Sequence, residues 1–298
     1  MTRKLDYGTG NFGRTALAAL VVFLAVSARS VPAGPVTVEG NLVLVETATL
    51  QAVLDRGLII SLVRKSDGRE MVRSSADEQQ ALQLVYLKGE AVPLGNEVED
   101  RFQCIQINDN LAHVRVESWY GDGLIAVSTD STTGDLVVEP GGYASRPALR
   151  ACRWLLAGIM PGLELVAPFF QGIRLPLEDP LISGTRWHWP FSWEAGLAIL
   201  QGEGGGFWVC CRDTRYRYKS LQVGVPGDAR GLGLETDAYG PVDNNLSAGG
   251  LAWRINVYQG GWEVPAAAYR DWLGRAYGLE NKALPPWVKE VRLALSWV

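Results

Sequence analysis

Short apolar segments that alternate with polar residues, each closed by Gly, Asp or Asn, recur from residue 42 onward, and this pattern limits the fold more than any other feature. Leu42-Val43-Leu44-Val45, Leu50 to Leu54 and Leu58-Ile59-Ile60-Ser61-Leu62-Val63 lead to a turn at Lys65-Ser66-Asp67-Gly68. Leu82 to Leu87 turns at Lys88-Gly89, and Phe102 to Ile107 turns at Asn108-Asp109-Asn110. His113 to Trp119, Leu124 to Val127 and Asp135 to Glu139 continue the series, with turns expected at Gly121-Asp122-Gly123 and Gly134. Period-two alternation at this spacing is the pattern of an all-β sandwich and not of βαβ units. Few segments before residue 260 suit a long amphipathic helix, and Ala148 to Gly158 reads as a short helix or a further strand.

Beyond residue 160 the texture changes. Pro161, Pro168, Pro176, Pro180 and Pro190 interrupt the chain, and Trp187, Trp189, Trp193 and Trp208 crowd into one stretch. Leu197 to Gln201 and Gly206 to Cys211 flank Gly202-Glu203-Gly204-Gly205 and predict a hairpin. Ser220 to Val225 and Leu251 to Tyr258 predict more strands. One helix is expected between Pro265 and Gly278, where Tyr269, Trp272, Leu273, Ala276 and Tyr277 fall on one face. Pro285-Pro286 then leads into Val291, Leu293 and Leu295, alternating with Arg292, Ala294 and Ser296. A strand in that place has a row of backbone groups to pair, so it reads as the first strand of a domain that is missing.

At the other end, Arg3, Lys4 and Arg14 precede an uncharged run from Thr15 to Ala28, and Val26-Ser27-Ala28 is a small-residue cleavage site. These are the parts of a secretory signal, and the run is short for a membrane span. Export to the periplasm or the extracellular space is expected, with no membrane association after cleavage. A net charge of −4 without a basic run makes nucleic acid a poor partner. Cys104, Cys152, Cys210 and Cys211 lack zinc spacing and read as buried free thiols or one bridge at most, with Cys210 and Cys211 facing opposite sides of their strand.

Chemistry-bearing motifs are sparse. Gly121-Asp122-Gly123-Leu124-Ile125-Ala126 spells a dinucleotide fingerprint, but strands are expected on both sides, so a hairpin turn is the better reading. The chain has two histidines, which leaves little for a histidine metal site, and no cofactor is expected. His113 lies in an alternating strand and reads as structural or surface. His188 lies among aromatics, in a ligand cleft or a packed loop. Asp213 has Arg212, Arg215 and Arg217 nearby to hold it ionised, or to pair with it at a hairpin edge. Eleven Trp and ten Tyr are a surplus that suits sugars, whose C–H faces stack on rings, or a large core with a domain interface. No pair of carboxylates stands out for glycoside hydrolysis, and no Gly-x-Ser-x-Gly elbow occurs.

The order of these segments carries a resemblance. Gly57-Leu58-Ile59-Ile60-Ser61-Leu62 with Asp67-Gly68-Arg69-Glu70 resembles the start of galactose mutarotase-like β-supersandwich domains. Pro168, Gly172-Ile173, Trp187 to Pro190 and Gly205-Gly206-Phe207-Trp208 to Asp213 resemble the later half of such a domain. Ala268-Tyr269-Arg270-Asp271-Trp272, followed by Pro285-Pro286-Trp287-Val288-Lys289, is similar to the joint that enters a catalytic TIM barrel in bacterial glycoside hydrolases, including families described only as domains of unknown function. The resemblance implies a mainly β fold with this organisation: a signal peptide over 1–28, the supersandwich over 37–262, a helical linker over 263–284 and the first strand of a truncated (β/α)8 barrel over 285–298.

It also implies that the catalytic carboxylates belong to barrel strands, so none is assigned here. The expected function is that of a non-catalytic N-terminal domain of a secreted glycoside hydrolase, with its own C-terminal barrel and a poly- or oligosaccharide as partners. Trp187, His188, Trp189, Trp193, Asp213 and Tyr216 are the candidate carbohydrate contacts. Two other readings stay open. One is an aldose-epimerase-like enzyme on the same fold, using both histidines and a glutamate. The other is a purely structural domain, in which Trp262, Trp272, Trp287 and Trp297 form an exposed apolar patch.

Overall fold

A computed structural model of the protein describes residues 35–279. The expected signal peptide (1–28), the end of the helical linker and the expected barrel strand (285–298) lie outside the described residues. Within them the chain is mainly β, built as layered sheets with one helix at the C-terminal side.

The first sheet is an antiparallel meander of β1 (Val36–Glu39), β2 (Leu42–Glu46), β3 (Leu50–Asp55), β4 (Leu58–Arg64) and β5 (Arg69–Arg73). The second places β6 (Leu82–Tyr86) between β7 (Ala91–Leu94) and β12 (Leu149–Leu156), then continues through β19 (Asp228–Asp237) and β18 (Lys219–Val225) to β15 (Arg186–His188). The third and largest begins with β8 (Arg101–Asn108), β9 (Leu111–Ser118), β10 (Gly121–Thr129) and β11 (Leu136–Ala144). It continues through β21 (Trp253–Gln259), β17 (Gly205–Cys211), β16 (Leu197–Gly202) and β13 (Glu164–Ala167) to β14 (Ile173–Pro176), and β20 (Ser247–Gly249) pairs with β11.

Alternation decides which side of each strand enters the core. In the six-stranded sheet one cross-strand row runs Leu94, Leu82, Trp154, Leu234, Leu221, Trp187, and every member is apolar and buried. This face packs on β9, β10 and β11. Two glycines make the approach possible. A Cβ at Gly123 would meet Leu82 at 2.5 Å and Val116 at 2.6 Å, and one at Gly121 (φ +145) would meet the Tyr143 carbonyl at 2.1 Å. Both therefore lie inside β10 and not in the turn that sequence pattern predicts for them; the turn is Trp119-Tyr120. Ala148 to Gly158, open between helix and strand, contributes β12.

The predicted hairpin at Gly202 to Gly205 forms from β16 and β17. Their strands are buried on both faces, which explains the unbroken apolar run Phe207 to Cys211. Phe207, Val209 and Cys211 join the main core, while Trp208 and Cys210 join a second, smaller one. The two adjacent cysteines do face opposite sides, and all four cysteines are free thiols.

Helix α1 (Glu263–Tyr277) covers that smaller core with Tyr269, and Trp272 and Leu273 pack against it. Pro265 sits in its first turn and Gly278 ends it in the left-handed conformation, φ 61°. Of the expected exposed tryptophans, Trp272 is thus partly covered and in tilted contact with Tyr269 at 5.1 Å, whereas Trp262 is exposed. Trp287 and Trp297 lie outside the described residues. Among the described residues no helix is long and apolar enough to cross a membrane.

Candidate functional site: a charged sheet face

One residue along from the apolar row, every side chain of the six-stranded sheet points to the opposite face. The row there reads Pro93, Gln83, Arg153, Glu235, Ser220, His188. The next outward residue on β19 is Asp237. Arg150 joins them because a bulge between Leu149 and Ala151 breaks the alternation of β12; an extra residue of this kind re-aims a side chain.

Glu235 is the centre of the arrangement, with its side chain 1% exposed. Its Oε2 accepts hydrogen bonds from Arg153 Nε at 3.0 Å and Nη2 at 2.7 Å. Its Oε1 accepts one from Arg150 Nη2 at 2.8 Å and pairs with Arg186 Nη2. Arg150 Nη1 also donates to both oxygens of Asp237 at 2.8 Å. Gln83 Oε1 accepts from Arg153 Nη1 at 2.9 Å, and Ser220 Oγ accepts from Arg186 Nε at 2.9 Å. Tyr218 and His188 stack beside the network with centroids 5.6 Å apart.

These contacts set the proton affinities. Burial pushes the Glu235 carboxyl up, but Arg153, Arg150 and Arg186 outweigh it and hold the group below the ordinary carboxylate range. Asp237 goes the other way, because burial exceeds what Arg150 returns. The Arg186 guanidinium is lowered, by burial first, with Glu235 opposing and Arg150 and Arg153 repelling; an arginine still stays charged. Burial and Arg186 lower His188, whose Nδ1 is buried and makes no hydrogen bond. The face therefore offers hydrogen-bond donors around carboxylates that are already engaged. Among the described residues no group of His, Cys, Asp and Glu could hold a metal ion.

The candidate contacts named from sequence are distributed differently. Trp187 is 4% exposed and stacks on Phe169 at 4.3 Å; Trp193 is 1% exposed, stacks on Trp253 at 6.3 Å and donates from Nε1 to the Leu197 carbonyl at 3.0 Å. Both rings belong to the core and have no face free for a ligand. Trp189 lies over the Lys219 ammonium at 3.7 Å, on the inner side of the sheet. Asp213 is buried with Lys219, 2.9 Å away, and accepts backbone N–H bonds from Arg215 and Arg217 at 2.8 Å. Burial raises this carboxyl, but Lys219 and those N–H groups bring it below its ordinary value. The three arginine side chains expected to do so are not the cause; Arg212 pairs with Asp135 instead. Tyr216 is 66% exposed and its ring meets Tyr277 at 5.8 Å. His188 alone of the six reaches the charged face. His113 points outward from β9, whose Ala112, Val114 and Val116 enter the core, so that core lies between the two histidines.

Sequence reading missed Arg150, Arg153, Arg186, Glu235 and Asp237, which come from three strands. The available signal was their presence as charged residues inside apolar runs, as in Leu149-Arg150-Ala151-Cys152-Arg153-Trp154.

No protein-family model matches the chain, and no curated protein matches it. Solved structures do. Ligand-free alpha-N-acetylgalactosaminidase NagBb from Bifidobacterium bifidum aligns with a TM-score of 0.50 at 12% identity, over 80% of this chain and 38% of that one. The alpha-galactosidase AgaB from Geobacillus stearothermophilus, of glycoside hydrolase family GH36, aligns with a TM-score of 0.46 at 8% identity, over 76% of this chain and 41% of that one. A galactose mutarotase-like protein from Lactobacillus casei aligns with a TM-score of 0.43 at 14% identity, over 73% of this chain and 100% of that one. The likeness to NagBb is one of fold, and the chain spans about 38% of that enzyme's length.

Proposed function

We propose that the chain is a non-catalytic, galactose mutarotase-like β-supersandwich domain of an exported glycoside hydrolase, standing ahead of a (β/α)8 barrel and contacting carbohydrate with the charged sheet face. One observation carries this reading: Glu235 and Asp237 on that face are both ion-paired to arginine. Arg, Tyr and His side chains thus stand on that face for sugar hydroxyls without a free acid/base couple. A fold shared with part of NagBb supports a domain within a longer enzyme. The outward placement of His113, across the core from His188, favours a binding role over a two-histidine epimerase.

Calorimetric titration of the full chain with galactose and N-acetylgalactosamine, beside mutarotation and p-nitrophenyl glycoside assays, tests the reading. Heat of binding without turnover is the expected result. Turnover of either kind would overturn the non-catalytic part. No binding of any sugar would overturn the carbohydrate part and leave a domain that serves the barrel only as a scaffold.

A further inference from the structure

We infer that the charged face recognises a negatively charged sugar, through a carboxylate or a sulfate ester seated at Arg186; the inference rests on the carbohydrate-binding reading and narrows its ligand class. The argument is one of charge and geometry. Three guanidinium groups, Arg150, Arg153 and Arg186, share two carboxylates, Glu235 and Asp237. The other outward residues of this sheet, Gln83, Ser220, Tyr218 and Gln222, are uncharged, so the face carries one positive charge in excess while His188 is neutral.

The excess falls at Arg186. Arg153 engages Glu235 twice and Gln83 once, and Arg150 divides itself between Glu235 and Asp237. Arg186 is left with one contact to an already shared oxygen and one to a serine hydroxyl. Its side chain is also the most accessible of the three, at 25% against 14% for Arg150 and 9% for Arg153. It lies on β15, the edge strand.

A second cation stands at the Asp237 end of β19. Arg217 Nη2 donates to the carbonyls of Asp237 at 2.6 Å and Gly249 at 2.7 Å, its Nε is buried without a partner, and its guanidinium lies 5.0 Å from the Tyr239 centroid. No carboxylate pairs with its side chain among the described residues. Tyr239 is exposed and follows Asp237 by two residues. A carboxylate or sulfate matches a planar guanidinium in geometry as well as charge.

The test compares four ligands by calorimetry with the full chain: galactose, galacturonate, galactose 6-sulfate and inorganic sulfate. Galacturonate or galactose 6-sulfate is expected to bind at least about tenfold more tightly than galactose, with the preference shrinking as salt is raised. The two arms separate carboxylate from sulfate recognition. Arg186→Gln should abolish the preference for the charged sugars over galactose, with a cooperative thermal transition, lowered by the loss of one Glu235 partner, showing that the variant is folded. Equal affinity for galactose and both charged sugars would overturn the inference and keep the carbohydrate reading. Inorganic sulfate binding as tightly as the charged sugars would also overturn it, since the sugar would then contribute nothing. If no sugar binds, both readings fall. Should Arg186→Gln fail to fold, the salt dependence of the unmodified chain decides alone: a preference unchanged by salt counts against the inference.

Discussion

Arg153 on β12 and Glu235 on β19 face each other as register partners, and one oxygen of Glu235 accepts two hydrogen bonds from that single guanidinium, at 3.0 and 2.7 Å. A buried carboxylate in this position is compensated three times over, by Arg153, Arg150 and Arg186. Removing it leaves three arginines that repel one another in a poorly solvated place.

Glu235→Gln is therefore expected to destabilise the protein by about 3 to 5 kcal/mol, the range for breaking a buried pair from one side. Arg186→Gln should cost less, because Glu235 keeps two partners and a more accessible cation is lost. Urea denaturation of the two variants and the unmodified chain measures both. Equal losses would contradict this ranking and make Arg186 as important to the network as Glu235 itself.

This network shows where sequence legibility ended. The strands, the hairpin at Gly202 to Gly205 and the helix ending at Gly278 were readable because alternation, glycine and proline act locally. So was the opposite facing of Cys210 and Cys211. The pairing of β12 with both β6 and β19 was not, since it joins residues about 70 to 80 apart in the chain and no local pattern encodes that order. Arg150 was doubly hidden, because a bulge puts it on the face its position in the alternation denies it. The crowding of tryptophans at 187 and 193 read as a sugar platform or as packing, and the two rings lie in the core, stacked on Phe169 and Trp253.

Trp193→Ala should consequently act through folding. Loss of a fully buried tryptophan, together with its hydrogen bond to the Leu197 carbonyl, is expected to cost about 3 to 5 kcal/mol. Tyr216→Ala, at an exposed ring, should stay within about 0.5 kcal/mol. Thermal denaturation monitored by tryptophan fluorescence separates the two. A Trp193→Ala protein as stable as the unmodified chain would contradict the burial described above.

Acid should loosen the joint between the first sheet and the largest one. Arg64 is buried, donates from Nη1 to the Tyr258 carbonyl at 2.6 Å, and is gripped by Asp67 through bonds of 3.0 and 2.5 Å. Those side-chain bonds lead the causes that lower the Asp67 carboxyl to about 2. A carboxylate depressed on folding adds stability that is fully present above its ordinary value near 3.8 and disappears as pH falls through about 2. Asp67→Asn should thus be less stable than the unmodified chain at pH 6, and the gap should close between pH 4 and 2. Paired denaturant titrations across that interval provide the check; a gap independent of pH would assign the effect to something other than the charge.

The thiols give the last test. Burial raises all four: Cys104 to about 11, Cys152 and Cys211 to about 12, and Cys210 well above its ordinary value. Because the thiolate is the reactive form, a folded chain should react with Ellman's reagent slowly at pH 8. Only Cys104 should react detectably, since it alone is partly accessible, on β8 with its Sγ donating to the Asn41 carbonyl at 3.2 Å. Addition of guanidinium should release all four at once if the sheets unfold together. Rapid labelling of two or more thiols in the native protein would show that the layer around β12 and β17 opens on its own, and Cys104→Ser would then identify the thiols exposed by that opening.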